Sequence, residues 1–303
     1  MVRSPAPRRF HRTLAALATL GVLAACSSPA AGAPAAAGIG SGVEAGTVAP
    51  AAARSSAAPA VPAVDTAALL AEVAAAAELG SIEVVVLDSA GTTLVAGADA
   101  TTPVATASLA KLFVVQQLLA DDEAGTTSLD DDDLALMRRA VTASDDEAMN
   151  TLWTRFDGAA LVEAAAAEFG LTGTAPPVEA GQWGETTTTA ADYATFLAGL
   201  GDALAADDLA TLTSWMQSTT ATAADGFDQT FGLLSADAGT VGAVAAKQGW
   251  MCCVDSRRQL HSAGVLADGR VVVLLGDFPT GTSWAGAQAA LDAAARAVVT
   301  ATA

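Results

Sequence analysis

Short β-branched runs stand at both ends of a region whose middle reads as helix, and that order narrows the possible folds. Ile82–Leu87 and Thr92–Val95, joined by the turn residues Asp88 to Gly91, predict a hairpin. Val241–Ala246, His261–Leu266 and Arg270–Leu275 predict three further strands, the last two around the tight turn Ala267–Asp268–Gly269. Helices are predicted between them: from Ser108 to about Leu119, from Leu129 to about Thr142, and over Asp145–Phe156, Gly158–Phe169, Ala190–Leu204 and Asp207–Gln217. An Ala-rich helix, Thr66–Leu79, precedes the first strands, and Ser283–Val299 closes the chain as another. Strands drawn from both ends must meet in one sheet, which the terminal helices can cover. The expected fold is therefore α+β, an antiparallel sheet flanked by terminal helices plus a mainly helical subdomain.

The residues before Asp65 are of another kind. Arg3, Arg8, Arg9 and Arg12 are followed by the apolar run Thr13–Ala25, which is too short to span a bilayer as a mature helix. Leu23–Ala24–Ala25–Cys26 reads as a bacterial lipobox, so residues 1–25 are expected to be a lipoprotein signal peptide and Cys26 the lipidated first residue. A plain secretory signal with a chance cysteine is the alternative. Residues 26–64 continue from that cysteine as Ala, Pro, Gly and Ser with almost no large apolar side chain. Such a segment cannot offset its conformational entropy by burial, and it is expected to be a disordered tether. Residues 65–303 are long enough for one packed domain.

Charge excludes one class of partner. The chain carries 14 basic and 33 acidic residues, and loss of the four signal arginines leaves ten basic ones and a formal charge of −23. Nucleic acid and anionic membrane surfaces are disfavoured by that balance. Cys252 and Cys253 are adjacent. They could form a vicinal disulfide or alternate across a strand as small buried residues, and the second reading is preferred. With His261 the only histidine beyond the signal, neither a metal site nor a Ser-His-Asp triad is well supplied. No cofactor is expected.

The chemistry begins at Ser108. Ser108 and Lys111 form a Ser-x-x-Lys before the apolar run Leu112–Val115, and i to i+3 spacing on a helix puts both side chains on one face. A serine hydroxyl needs a neighbour to take its proton, and a lysine can do so when burial lowers its pKa. The same pattern also describes a helix N-cap with a solvated lysine. The chain has only two lysines, Lys111 and Lys247, although arginine meets its other needs for positive charge. Since arginine cannot act as a base, the amine itself is implied to matter at both places. A second element is Ser144–Asp145–Asp146 with Asn150 one turn on. A third is Lys247–Gln248–Gly249 on a strand, where the glycine would let a ligand approach the backbone. Taken singly, Ser144 could be an N-cap and Lys247 a strand-edge lysine.

In this order the three elements resemble the Ser-x-x-Lys, Ser-Asp-Asn and Lys-Thr-Gly motifs of the serine β-lactamases and penicillin-binding proteins. Gly184 to Ala190 resembles the segment closing that family's omega loop. The chain also looks like alanine-rich lipoproteins of high-GC Gram-positive bacteria that carry a similar Lys-Gln-Gly-Trp-Met. The resemblance implies a β-lactamase/transpeptidase-like fold. It implies that Ser108 is acylated, that Lys111 is its base or proton relay, that Ser144 passes a proton to the leaving group, and that Lys247 orients the shuttle and binds a substrate carboxylate. Asp146, Gln248, Gly249 and Trp250 would line the substrate, with the N–H groups of Ser108 and Trp250 as the oxyanion hole. The implied partners are a cell-wall peptide or a β-lactam-like small molecule, and the membrane through Cys26; a monomer is expected.

Departures from the family pattern qualify this. Asp146 stands where the family has an asparagine, and a carboxylate only accepts, so pairing with Lys111 is expected. Gln248 replaces a hydroxyl residue, though its amide could donate. Ser108 and Ser144 are closer in sequence than in typical β-lactamases. No Glu-x-x-Leu-Asn precedes Gly184, and Glu179 or Glu185 would replace the missing deacylating glutamate only by coincidence; Glu185 is expected to brace the loop. Efficient β-lactam hydrolysis is therefore not expected. The alternative function is a non-catalytic lipoprotein that uses the cleft to bind a cell-wall peptide or protein.

Overall fold

A computed structural model describes residues 64–78 and 80–303; the signal, Cys26 and the tether up to Ala63 lie outside the described residues. The chain opens with α1 (Thr66–Ala77) and the hairpin β1 (Ser81–Leu87) and β2 (Thr93–Ala96), followed by the short β3 (Val104–Ala105). The helical middle comprises α2 (Ala110–Glu123), α3 (Asp131–Thr142), α4 (Asp146–Phe156) and α5 (Gly158–Phe169). After β4 (Thr187–Thr188) come α6 (Ala190–Ala203) and α7 (Ala206–Gln217). The last third holds β5 (Ala245–Val254), β6 (Arg257–Val265), β7 (Val271–Pro279) and α8 (Trp284–Ala301). The main sheet is antiparallel in the order β2-β1-β7-β6-β5, so the first and last strands of the chain do meet.

Alternation along the central strands explains the two cores. Val85 and Leu87 of β1 pack with Val273 and Leu275 of β7 against the helical subdomain. Val84, Val86, Val272 and Leu274 face the opposite way, onto α1 and α8. Successive strand side chains point to opposite faces, so an unbroken apolar run is what a strand covered on both sides requires. The fold is the expected α+β sandwich with a helical subdomain on one face.

Helix α2 is the pivot of that subdomain. Every residue from Ala110 to Leu118 is buried, polar ones included. Over that span the helix is packed on every side, which places it inside the core. Phe113 meets Tyr193 and Phe196 of α6 at ring-centroid distances of 5.4 and 4.6 Å. The buried Gln116 donates its amide to Glu168 on α5 at 3.1 Å.

The structure departs from the expected strands in the last third. Val241 is exposed and Gly242 has φ +82°, so the strand starts at Ala245 and carries Lys247 within it. Both hairpin strands also run further than expected, meeting at Asp255 and Ser256, which take φ of 49° and 61°. Two left-handed residues suit a tight hairpin turn, but here neither is glycine, so no breaker marks it in the sequence. The adjacent cysteines lie at this exposed end, not in the core. Their sulfurs are within bonding reach as a vicinal disulfide, which corrects the preferred reading of two small buried residues. The pairing of β3 with β4 was unforeseen; two residues are too few to show a period.

Candidate active site

Ser108 sits in a single 3-10 turn, Ala107–Leu109, that runs straight into α2. Ala107 holds φ +48°, a left-handed conformation that costs an alanine energy and aims the following serine at the cleft floor. One turn on, Lys111 is wholly buried and places Nζ 2.7 Å from Ser108 Oγ. The i to i+3 expectation holds.

Ser144 is not the N-cap of α4. Asp145 caps that helix, accepting from the backbone N–H groups of Glu147 and Ala148 at 3.0 Å each, and Arg139 grips its other oxygen. Burial pushes the Asp145 carboxyl up, but the Ala148 N–H, the Arg139 guanidinium and the Glu147 N–H together outweigh it and hold the carboxyl below its usual range. Ser144, at φ +50°, is thereby released to face inward. Its carbonyl accepts from Lys111 Nζ at 2.8 Å and its Oγ lies 3.3 Å from the same nitrogen. Lys247, also wholly buried, donates to Ser144 Oγ at 2.8 Å and to the Gln248 carbonyl at 2.8 Å. Both lysines of the chain thus converge on one serine hydroxyl. Burial, the larger influence, lowers the Lys111 pKa against the opposing pull of Asp146, Asp145 and Asp225. Lys247 is pushed well down by burial and then by the Lys111 charge.

At the rim, Asp146 pairs with Lys111 at 2.6 Å while 59% of its side chain stays exposed. This is the expected pairing. Trp183 was missed by sequence reasoning: its ring lies 4.6 Å from Lys111 Nζ, and its Nε1 donates to Asn150 Oδ1 at 2.7 Å. Its only sequence signal was an aromatic residue between Gly181 and Gly184, just before the segment singled out. Ser108, Asp146, Asn150, Trp183, Trp250 and Met251 are among the residues lining a cleft of about 290 Å³.

Two substrate-facing expectations change. The Gln248 side chain is fully buried, and its amide donates to the carbonyls of Gln229 and Phe231, so it is spent on the chain itself. Strand alternation turns it away from the Lys247 face. Gly249 does admit a close approach, but of the chain's own Ser108 turn: a Cβ there would stand 3.0 Å from the Thr106 carbonyl and 3.3 Å from Leu109. Trp250 lines the cleft while its ring stacks on Phe227 at 4.7 Å and its Nε1 donates to Asp225. Among the described residues, neither Glu179 nor Glu185 makes a side-chain hydrogen bond; Glu185 contributes to the loop through its backbone N–H, which donates to the Gln182 carbonyl at 2.8 Å. No cluster of three or more metal-ligating side chains occurs among the described residues.

His261 lies opposite Gly249 on β6, and its Nε2 donates to the Ala105 carbonyl at 2.8 Å. Burial holds its pKa down at about 4. The unfolded chain takes up this proton near pH 6.5 and the folded one only near pH 4, so acidification through that window favours unfolding. The loss should approach about 3 kcal/mol. Urea unfolding at pH 7 and pH 4 should show that part of the pH dependence vanish in His261→Gln; equal slopes for both proteins would contradict the assignment.

The fold is that of the serine β-lactamases and penicillin-binding proteins. A β-lactamase from Chitinophaga pinensis superposes with a TM-score of 0.64 at 17% identity, covering 78% of this chain and 99% of that one. A β-lactamase from Sphaerobacter thermophilus gives 0.61 at 16% identity, over 79% and 98%. PBP-A in an acyl-enzyme complex with penicillin G gives 0.60 at 18% identity, over 78% and 96%. No protein-family model matches the chain. It is 34% identical over 230 residues to the protein called "Putative lipoprotein LppW" of Mycobacterium tuberculosis and Mycobacterium bovis, over 75% of this chain and 69% of that protein. The chain belongs to the LppW family.

Proposed function

We propose that this protein is a cell-envelope lipoprotein whose Ser108 is acylated in a serine hydrolase-type acyl transfer. The carrying observation is Lys111 Nζ at 2.7 Å from Ser108 Oγ, inside a buried network that reaches Ser144 and Lys247. In this reading Lys111 takes the Ser108 proton, Ser144 delivers a proton to the leaving group, and the N–H groups of Ser108 and Trp250 stabilise the oxyanion. The acyl donor is an amide, a cell-wall peptide or a β-lactam-like molecule. Among the residues lining the cleft, Asp146 is the one carboxylate, and it is held by Lys111. A base for the deacylating water is therefore lacking, and release of the acyl group should be slow. A fluorescent penicillin and a fluorophosphonate should each leave a label on the full chain that survives denaturing electrophoresis. Absence of label from both would reject the reading.

Asp146 favours a second reading, because its pairing with Lys111 favours the charged amine, which is a poor base. The cleft would then bind a cell-wall peptide or a protein without reacting, and binding of a peptidoglycan stem peptide would survive Ser108→Ala.

The name of the mycobacterial relatives and the Leu23 to Cys26 motif support membrane attachment through Cys26. Cys26→Ser should move the protein from the membrane fraction to the soluble one; unchanged partition would reject lipidation at that cysteine.

A further inference from the structure

The two buried lysines have unlike surroundings. Lys111 Nζ meets three acceptors at short range: Asp146 Oδ1 at 2.6 Å, Ser108 Oγ at 2.7 Å and the Ser144 carbonyl at 2.8 Å. An ammonium has three N–H groups to match them. One acceptor is a carboxylate, and the Trp183 ring adds a further favourable contact for a cation at 4.6 Å. Among the described residues, Lys247 has no carboxylate partner. Its contacts are the Gln248 carbonyl and Ser144 Oγ, with the Trp250 ring more distant at 5.9 Å. A charged Lys247 would be a second buried ammonium on the same serine with no paired carboxylate to offset its burial. A neutral amine avoids that cost: it donates to the Gln248 carbonyl and, with the hydrogen of the 2.8 Å contact on oxygen, accepts from the Ser144 hydroxyl.

We propose that the site rests with its ammonium on Lys111 and a neutral amine on Lys247, making Lys247 the terminal acceptor of the Ser108 proton. This deepens the acyl-transfer reading and rests on it for the reaction, while the resting charges can be read without any substrate.

The protons balance as follows. Ser144 passes its hydroxyl proton to Lys247 and takes one from Lys111, and the lone pair so freed on Lys111 takes the Ser108 proton as Ser108 Oγ bonds to the carbonyl carbon. The carbonyl π electrons move to the oxyanion and return as the bond to the leaving group breaks. The leaving group takes a proton from Ser144, and Lys247 replaces it. Both lysines end as they began, and the Ser108 proton has in effect reached the leaving group. Lys247 acts through Ser144, so its role is that of a positioning and proton-storing residue.

Other charges facing the pair do not disturb this order. Asp145 is engaged by Arg139, and Asp225, which accepts from Trp250, also favours the charge on Lys111. His261, packed behind Gly249, is held on the Ala105 carbonyl. Desolvation bears on both lysines; Asp146 and its neighbours counter it at Lys111, whereas at Lys247 the Lys111 charge adds to it and exceeds the opposing pull of Asp146.

The chain's two lysines make the test direct, because labelling with [13Cε]lysine yields two side-chain signals. At pH 7 one should have the shift of an ammonium and the other that of a free amine. Asp146→Asn, at a partly exposed side chain, should move the titration of the charged signal down by about one pH unit or more. Two charged signals at pH 7, or a charged signal indifferent to Asp146→Asn, would overturn the proposal. Acylation should rise with pH through the titration of the Lys247 signal. Lys247→Arg, which keeps charge but cannot accept a proton, should slow acylation by about 100-fold or more. Acylation by that variant at the wild-type rate would also overturn it. If the two signals behave as expected but no acyl probe reacts, the acyl-transfer reading alone fails.

Discussion

Ser108→Ala abolishes covalent labelling of the full chain by a penicillin or a fluorophosphonate, while the protein stays folded. The substitution removes one oxygen, the atom 2.7 Å from Lys111 Nζ, so the loss should be complete. Folding should survive because Lys111 keeps the Ser144 carbonyl and Asp146, and the backbone turn that carries Ser108 is unchanged. The lost acceptor should cost about 1–3 kcal/mol at most. Ser144 cannot substitute as nucleophile, since its hydroxyl is bridged between two lysines at 3.3 and 2.8 Å and is committed to proton transfer. A label that persists in Ser108→Ala, mapped to another serine, would displace the assignment.

Phe113→Ala has the largest expected effect on stability. Phe113 is fully buried one turn beyond Ser108 and joins α2 to Tyr193 and Phe196 of α6. Emptying that position removes the aromatic contacts and leaves a cavity that a helix packed on all sides cannot close. The expected cost is about 3–5 kcal/mol, measured by urea unfolding. Since α2 also carries Lys111, acylation of the folded variant should slow as well. A cost below about 1 kcal/mol would mean that α2 is not the pivot described.

Much of the fold was legible because its signals are local. The β-branched run Ile82–Leu87 announces its strand directly, and the helices expected over Asp145–Phe156 and Ser283–Val299 lie close to the observed α4 and α8. The end of the β5–β6 hairpin was not, because Asp255 and Ser256 form its turn without glycine and Arg257, Arg258 and Gln259 break the apolar pattern. The site divides in the same way. Ser108 and Lys111 are one helical turn apart, so their meeting follows from spacing, whereas the convergence of Ser144 and Lys247 follows from the family resemblance and not from any local rule. Gln248 was misjudged because residue type shows that an amide can donate but not to which side of the strand it points. Trp183 escaped notice because its contact with Lys111 depends on how a loop without secondary-structure period closes over the cleft.

The most direct measurement is the intact mass of the full chain after exposure to penicillin G, followed over hours, beside Ser108→Ala. Wild type should gain the mass of one acyl group, located on the peptide bearing Ser108, and should lose it only slowly for want of a free carboxylate at the cleft. Unmodified wild type, or equal modification of both proteins, would contradict an activated Ser108.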